Sequence, residues 1–213
     1  MHGIILWCLL YYLPAYYEAV KGQTPILAGV SIFPVTFTVA PASVVVGIMV
    51  SVRGTFRGHI WVRWFLTTLG MGLLYLLDVH TSTPAWVFLN LVSGLGTGIL
   101  FPSMAFDIQA AVSNEDVAYT VAIMAFFRTF GQAFGMAIGG TIFSNALKSK
   151  LTAIPSIGPA AGKLSKDTIG LIAVIKDMPQ SPEKNFIIQA YADALKIVWS
   201  RFHHSLFMLD TLY

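Results

Sequence analysis

The fold of this chain is decided by residues 22–52, which have the sequence GQTPILAGVSIFPVTFTVAPASVVVGIMVSV. These 31 residues contain no Asp, Glu, Lys or Arg, and apolar side chains dominate the stretch. A helix that crosses the apolar core of a bilayer needs about 20 consecutive apolar residues, and uncharged runs of this length are typical of such helices. The stretch therefore predicts a membrane-spanning helix.

The same pattern recurs along most of the chain. Residues 1–17, 64–77 and 79–106 are also uncharged, and residues 117–147 contain Arg128 as their only charged side chain. Hydrophobic residues make up 56% of the chain and charged residues 11%, whereas typical soluble domains have about 45–50% and about 25%. We predict an all-α, multi-pass integral membrane protein.

The charge pattern divides the chain into three parts. A transmembrane bundle of about five helices is predicted for residues 1–147, with spans at about 3–20, 28–51, 61–78, 85–106 and 118–145. Residues 148–185 are rich in Lys, Pro, Ser and Gly and predict a solvated loop. Residues 186–213 resume an apolar pattern that polar residues interrupt near Arg201, which predicts an incomplete or aberrant last helix. The first span is short, so we expect its beginning to be missing and the chain to be part of a larger protein.

The basic residues constrain both partner and orientation. The net charge of +3 comes from residues 148–213, and no basic stripe with interleaved aromatic residues is present. We therefore expect no binding to nucleic acid. Cytoplasmic loops are enriched in Lys and Arg, so Arg53, Arg57 and Arg63 favour a cytoplasmic loop after the second span. Lys148 and Lys150, just past the fifth span, favour the opposite orientation.

Signatures of enzymes and of metal sites are weak in this sequence. Cys8 is the only cysteine, so an internal disulfide and a cysteine metal cluster are both excluded. His203 and His204 are adjacent and diverge on a helix, so they lack the four-residue spacing of a helical metal pair. Asp78 and Asp107 lie at the ends of predicted spans, without the glycine context of an intramembrane protease. We predict a protein that is not an enzyme and uses no cofactor.

Glycine residues form stripes on two predicted spans. Gly131, Gly135 and Gly139 recur every fourth residue, with Gly140 beside them, and residues four apart share a helix face. The fourth span has a similar stripe, formed by Asn90, Gly94 and Gly98. Small residues allow membrane helices to approach closely. The stripes predict either static packing or the sliding interfaces of transporter helices.

Arg128 is the residue that most suggests a function. If the fifth span begins at Ala118, Arg128 lies about 15 Å along the helix at about 1.5 Å per residue. A charged residue at such depth is costly and therefore indicates a role in a cavity or an ion pair. If the span begins at Thr129 instead, Arg128 is an interfacial anchor. Gln132 lies one turn further along the same face.

Aromatic residues cluster on the first span. Tyr16 and Tyr17 predict an aromatic belt at the membrane interface. Trp7, Tyr11 and Tyr12 lie deeper and form a candidate cavity lining for flat organic molecules. Packing against lipid or against neighbouring helices is an equally good explanation of these three residues.

Residues 5–147 as a whole resemble the fungal drug:proton antiporters of the major facilitator superfamily, in the fourteen-spanner branch. The segments YYLPAYYEAVKG and PILAGV, at residues 11–22 and 25–30, are similar to the start of the second half of these proteins. The loop that contains Arg53, Gly54 and Arg57 resembles the second-half copy of the family's cytoplasmic gating motif, with Ser51 in place of Asp. GQAFGMAIGG at residues 131–140 is similar to the antiporter glycine motif, with Met136 in place of proline.

This resemblance implies the second half of a transporter bundle, with spans one and four lining the central cavity and spans two and five at the contact between halves. It implies a function in the proton-driven efflux of small amphipathic organic molecules across the plasma membrane, together with a missing N-terminal half. The substrate-cavity candidates are then Trp7, Tyr11, Tyr12, Asn90, Arg128 and Gln132. The alternative is a non-transporting membrane remnant or interaction protein that packs through its glycine faces.

Overall fold

The computed structural model describes residues 2–53, 57–154 and 156–210, and within these ranges the chain is helical and contains no strand. The prediction of an all-α fold is confirmed. The helices are α1 (His2–Ala19), α2 (Pro25–Ser31), α3 (Phe33–Arg53), α4 (Arg57–Leu73), α5 (Thr83–Ala110), α6 (Val117–Thr152), α7 (Ala161–Leu164), α8 (Thr168–Asp177) and α9 (Pro182–Asp210). Short 3₁₀ segments lie at Leu74–Leu76 and Gly158–Ala160.

Three of the described helical stretches are long and apolar enough to cross a membrane, namely Pro25–Met49, Thr83–Ala110 and Val117–Thr152. A shorter apolar helical stretch covers Trp64–Leu76. Helices α5 and α6 extend past the predicted spans at residues 85–106 and 118–145, because apolar composition marks the bilayer and not the end of the helix. The number of five spans stays a prediction.

The second predicted span is broken into two helices. Helix α2 begins at Pro25, after Thr24, whose hydroxyl oxygen accepts a hydrogen bond from the Leu27 N–H at 3.3 Å. It ends at Ser31, and α3 begins at Phe33. Pro34 has no N–H and its ring clashes with the preceding turn, which interrupts a helix at this point.

Helix α5 packs between α3 and α4 through its glycine residues. A methyl group at Gly94 would lie 2.5 Å from the Val35 carbonyl oxygen, and one at Gly98 would lie 2.8 Å from the Val39 Cα atom. On the side of α4, a methyl group at Gly96 would lie 2.7 Å from the Thr67 Cα atom. Any side chain at these positions would separate the backbones, so the glycines set the spacing of these three helices.

Helices α1, α6 and α9 form a second packed group. The glycine face of α6 contacts α1: a methyl group at Gly135 would lie 2.8 Å from the Ile4 Cα atom, and one at Gly139 would lie 3.0 Å from the Tyr12 ring. The contacts at Gly131 and Gly140 are looser, at 3.6 and 3.8 Å. Tyr12 is also enclosed by aromatic residues of α6 and α9.

The predicted loop at residues 148–185 requires correction. Helix α6 continues to Thr152, and α7 and α8 follow it. Leu171, Ile172 and Ile175 of α8 are buried, and the Asp167 carboxylate caps this helix by accepting a hydrogen bond from the Gly170 N–H at 2.8 Å. The polar composition concealed the helical spacing of these apolar residues, which form one buried face.

The last helix, predicted to be incomplete or aberrant, is a continuous helix in the structure, although it is not among the described stretches that are long and apolar enough to cross a membrane. Helix α9 continues without a break from Pro182 to Asp210, and residues 211–213 lie outside the described part of the chain. Arg201 and His204 lie on an exposed face, whereas Phe202 is buried and the His203 Nδ1 atom lies 2.9 Å from the Thr68 carbonyl oxygen of α4. The polar residues therefore alternate between two faces of a regular helix.

The contact between α1 and α6 leads to a prediction about Gly135. Substitution Gly135→Leu should force the two helices apart, and overpacking of this kind costs about 1–3 kcal/mol or more. Ala137→Leu is the matched control, because Ala137 is exposed two residues further along the same helix. We expect a clear fall in the thermal unfolding midpoint of the purified chain for Gly135→Leu alone. Equal midpoints for the two variants would contradict the assigned face.

Candidate functional site

A cavity of about 230 Å³ lies between α1, α5 and α6. Its wall is mainly apolar and includes Met104 and Ile108 of α5 with Met124 and Phe127 of α6. The Arg128 side chain also lines it. An apolar pocket with a single cation suits an amphipathic organic molecule, since apolar walls provide affinity and the few polar groups fix orientation.

Arg128 lies 11 residues after the start of α6 at Val117, which corresponds to about 16 Å at about 1.5 Å per residue. Its side chain is half-buried. The backbone at this position is in close contact with α1, because a methyl group at Gly3 would collide with the Arg128 carbonyl oxygen. The helix thus continues through Arg128, while the position of the membrane boundary along α6 stays a prediction.

The other cavity candidates are dispersed over different environments. The Gln132 side chain packs against α1, because a methyl group placed at Gly3 would lie 3.1 Å from the Gln132 Cγ atom. Gln132 does not line the cavity. Trp7 and Tyr11 are exposed on α1, at 37% and 41%. Tyr12 is buried, with its ring centroid 5.8 Å from Phe143 and 6.2 Å from Trp199. Tyr12 is therefore a packing residue here, whereas Trp7 and Tyr11 remain available to a ligand.

Asn90 is fully buried and bridges three helices. Its Nδ2 atom donates hydrogen bonds to the Tyr17 hydroxyl of α1 at 2.6 Å and to the Ser31 carbonyl of α2 at 3.1 Å. In an unbroken helix, the Val35 N–H would bind the Ser31 carbonyl, but here it donates to Ile32 at 2.9 Å. Asn90 thus satisfies a carbonyl that the break at Pro34 leaves without a backbone donor.

The aromatic belt predicted at Tyr16 and Tyr17 is not found. Both rings are buried, and the Tyr16 hydroxyl donates to the Asp78 carbonyl at 2.8 Å. The Tyr17 ring stacks edge-to-face on Trp86 of α5, with centroids 5.0 Å apart. The Pro34 break was a sequence signal for the role of Asn90, because a freed carbonyl in a membrane needs a polar partner, and Tyr17 is the second acceptor of the same amide.

Charged residues form a network at the opposite end of the bundle. The Lys196 ammonium of α9 lies 2.7 Å from the Asp78 carboxylate, in the loop before α5, and Gln189 donates to Asp78 at 3.3 Å. Gln189 also donates to Asp193 at 3.0 Å, and Asp193 pairs with Lys150 of α6 at 3.1 Å. The network therefore joins α9 to both groups of helices.

The Asp78 carboxyl has a pKa below its ordinary value. Partial burial raises this pKa, but hydrogen bonds from Lys196, from the Val79 N–H and from Gln189 favour the ionised form and outweigh the burial. Lys21, in the turn after α1, also lies at this end of the bundle and donates hydrogen bonds to the Val79 and Thr81 carbonyls at 2.8 and 2.6 Å. The sequence places Asp78 at the end of a predicted span, but it contains no sign that Gln189 and Lys196, 111 and 118 residues away, are the partners of Asp78.

The two arginines of the predicted gating loop lie at the connection between α3 and α4. Arg53 ends α3 and Arg57 begins α4, but the intervening residues and both arginine side chains lie outside the described part of the structure. The predicted gating role of this loop stays a prediction. Among the described residues, no group of three or more His, Cys, Asp or Glu is arranged to hold a metal ion.

The chain is similar to several fungal transporters. It is 54% identical over 199 residues to MFS transporter L2 of a Phoma species, 33% identical to efflux pump FUS6 of Gibberella moniliformis, and 31% identical to MFS-type efflux pump MMF1 of Pseudozyma antarctica. These alignments cover 92–93% of this chain, which spans about a third of the length of each relative, 33–36%. No protein-family profile and no solved structure matches the chain. The resemblance that the sequence predicted is thereby confirmed: the relatives are fungal transporters of the major facilitator superfamily, and this chain matches about a third of each of them.

Proposed function

We propose that this chain is the part of a proton-coupled efflux pump that contributes one wall of the substrate cavity. The observation that carries this proposal is the apolar cavity between α1, α5 and α6, with the Arg128 side chain as its cation. Related proteins are named efflux pumps, and these three helices correspond to spans one, four and five of the resemblance. The substrate class that fits is a small amphipathic organic molecule with an anionic or strongly polar group.

The rest of a longer transporter would supply the opposite wall. Four phenylalanines on α6 are exposed at 50–63% of their surface, namely Phe126, Phe127, Phe130 and Phe134. Such an apolar face requires either lipid or another part of the protein, because large apolar patches on monomeric proteins are rare in water.

The broken second span is the element that we assign to the conformational cycle. Discontinuous helices are common in transporters, where they provide sites and hinges near the middle of the membrane. Here the break lies between α2 and α3, and Asn90 fixes it through Ser31 while binding Tyr17 of α1. A motion of α2 at this break would therefore be transmitted through Asn90 to α1, whose first turn lines the cavity. A non-transporting remnant is the less favoured alternative.

Substitutions of Arg128 test the proposed function. Arg128→Ala in the transporter that contains this chain should reduce proton-driven efflux of an amphipathic anionic dye by about tenfold or more, since hydrogen bonds to charged groups contribute about 1.5–3 kcal/mol. Arg128→Lys keeps the charge but loses the planar fork of donors, so it should also lose much activity. Flux is measured in sealed vesicles and normalised to the amount of transporter in the membrane.

Thr129→Ala is the matched control for these measurements, because Thr129 is the exposed neighbour whose hydroxyl binds only its own helix, at the Ala125 carbonyl. Full activity of both Arg128 variants would refute the proposed role of Arg128 in the cavity. Loss in Arg128→Ala with full activity in Arg128→Lys would instead assign Arg128 to an interfacial anchor.

The assigned hinge leads to a prediction about Asn90. Asn90→Leu should leave the Ser31 carbonyl and the Tyr17 hydroxyl without their partner, and each unsatisfied buried group costs about 1–3 kcal/mol. Asn90→Asp has the same shape but no N–H donors, so it should be at least as harmful. We expect lower thermal stability and lower efflux for both variants.

Ser93→Ala is the control for Asn90, because Ser93 is buried one turn away on α5 and its hydroxyl makes no hydrogen bond with any residue that the structure describes. Normal efflux and stability of Asn90→Leu would refute the role assigned to Asn90.

A further inference from the structure

A second cavity, of about 460 Å³, forms a groove between α6 and α9. Lys150 and Arg201 line it together with the polar side chains of Asn145 and Ser149. Its remaining wall is apolar and consists of Ile142, Ala146 and Ile197. This groove is separate from the cavity at Arg128, which lies at the other end of α6.

The ion pair between Lys150 and Asp193 fixes how the two antiparallel helices are aligned. Arg201 lies eight residues beyond Asp193, which places it about 12 Å further along α9, toward the interior of the bundle. Asn145 lies about 7.5 Å before Lys150 on α6, and therefore between the levels of the two cations. An anion at the level of Asn145 is within reach of both side chains, because long basic side chains extend along a helix toward polar surroundings.

The charged side chains in and beside the groove have one positive charge in excess. Lys150 and Arg201 contribute two positive charges, and Asp193, paired with Lys150, contributes one negative charge. Arg201 is exposed and its guanidinium makes no ion pair with any acidic residue in the described parts of the chain. The exposed Asn145 amide and Ser149 hydroxyl likewise have no side-chain hydrogen bond there. A charged residue near the membrane interior is stabilised by an anion, a dipole or water, and a single monoanion would neutralise this site.

We propose that the groove binds the phosphodiester headgroup of an anionic membrane phospholipid. The Arg201 guanidinium matches two phosphate oxygens with parallel donors, Lys150 adds a second charge, and Asn145 and Ser149 supply further donors. The apolar residues Ile142, Ala146 and Ile197 contact the glycerol backbone and the first part of an acyl chain. The groove lies where the predicted fifth span ends at residue 145, which is the level of lipid headgroups. This inference does not depend on the transport function.

Lipid binding to the purified 213-residue chain tests this proposal. The chain in detergent is titrated with dioleoyl phosphatidylglycerol or dioleoyl phosphatidylcholine, and bound lipid is counted by native mass spectrometry. We expect preferential binding of phosphatidylglycerol. Arg201→Gln and Lys150→Gln should each weaken it about fivefold, since one basic residue near an anionic lipid contributes about that factor. Lys163→Gln, an exposed charge outside the groove, should have no effect.

Further measurements distinguish a lipid headgroup from free phosphate and test whether a loss of binding comes from misfolding. Inorganic phosphate at the same concentration should not displace the lipid; displacement would assign a soluble phosphate site and overturn the proposal. Arg201→Lys retains the charge and should bind more tightly than Arg201→Gln, which excludes loss of fold as the cause. Equal binding of the two lipids, or unchanged phosphatidylglycerol binding in both glutamine variants, would also overturn it.

Discussion

The hydrogen bond from Asn90 to the Ser31 carbonyl is the interaction on which the arrangement of the bundle depends. Lipid offers no hydrogen-bond partner to a backbone group, so a break in a spanning helix persists only where the protein supplies one. Pro34 creates such a break, and Asn90 supplies the donor from α5. Without it, the freed carbonyl would be buried without a donor. Helix α3, which begins just after the break, packs against Gly94 and Gly98 of the same helix α5.

Close backbone contact then determines the rest of the packing. Membrane helices gain little from apolar burial, because lipid is as apolar as their side chains, and dispersion contacts between closely spaced backbones take its place. Glycines create this spacing at two interfaces, between α5 and its neighbours and between α1 and α6. Helix α9 is held differently, by the Lys196–Asp78 pair near its middle and by the buried rings of Tyr191 and Trp199 on either side of that pair. At the end of the bundle that contains Asp78 and Lys196, ion pairs and hydrogen bonds thus take the place of close backbone packing.

The sequence predicted what local spacing determines. The uncharged runs predicted the helices, and the four-residue repeat of Gly131, Gly135 and Gly139 predicted a packing face that the structure places against α1. Partners distant in the sequence could not be predicted, because no spacing rule links Asn90 to Tyr17 or Lys196 to Asp78, 73 and 118 residues away. Composition was misleading for α8, where scattered polar residues concealed one buried apolar face. The cavity at Arg128 required the crossing of α1, α5 and α6, which only the folded chain provides.

Arg128 of α6 and Arg201 of α9 show two ways in which the cost of placing a guanidinium near the membrane can be met. A guanidinium near the membrane interior is stable only beside an anion, a dipole or water. Arg128 lies at an interface where Gly3 brings α1 against its backbone, and its side chain lines an apolar cavity, where a bound molecule with a polar group can contact it. Arg201 lies on an exposed face of α9, so its natural partner comes from the surroundings of the helix, within the groove that it shares with Lys150. The surroundings that each helix creates, and not the residue type, therefore determine whether an arginine serves a substrate or the membrane.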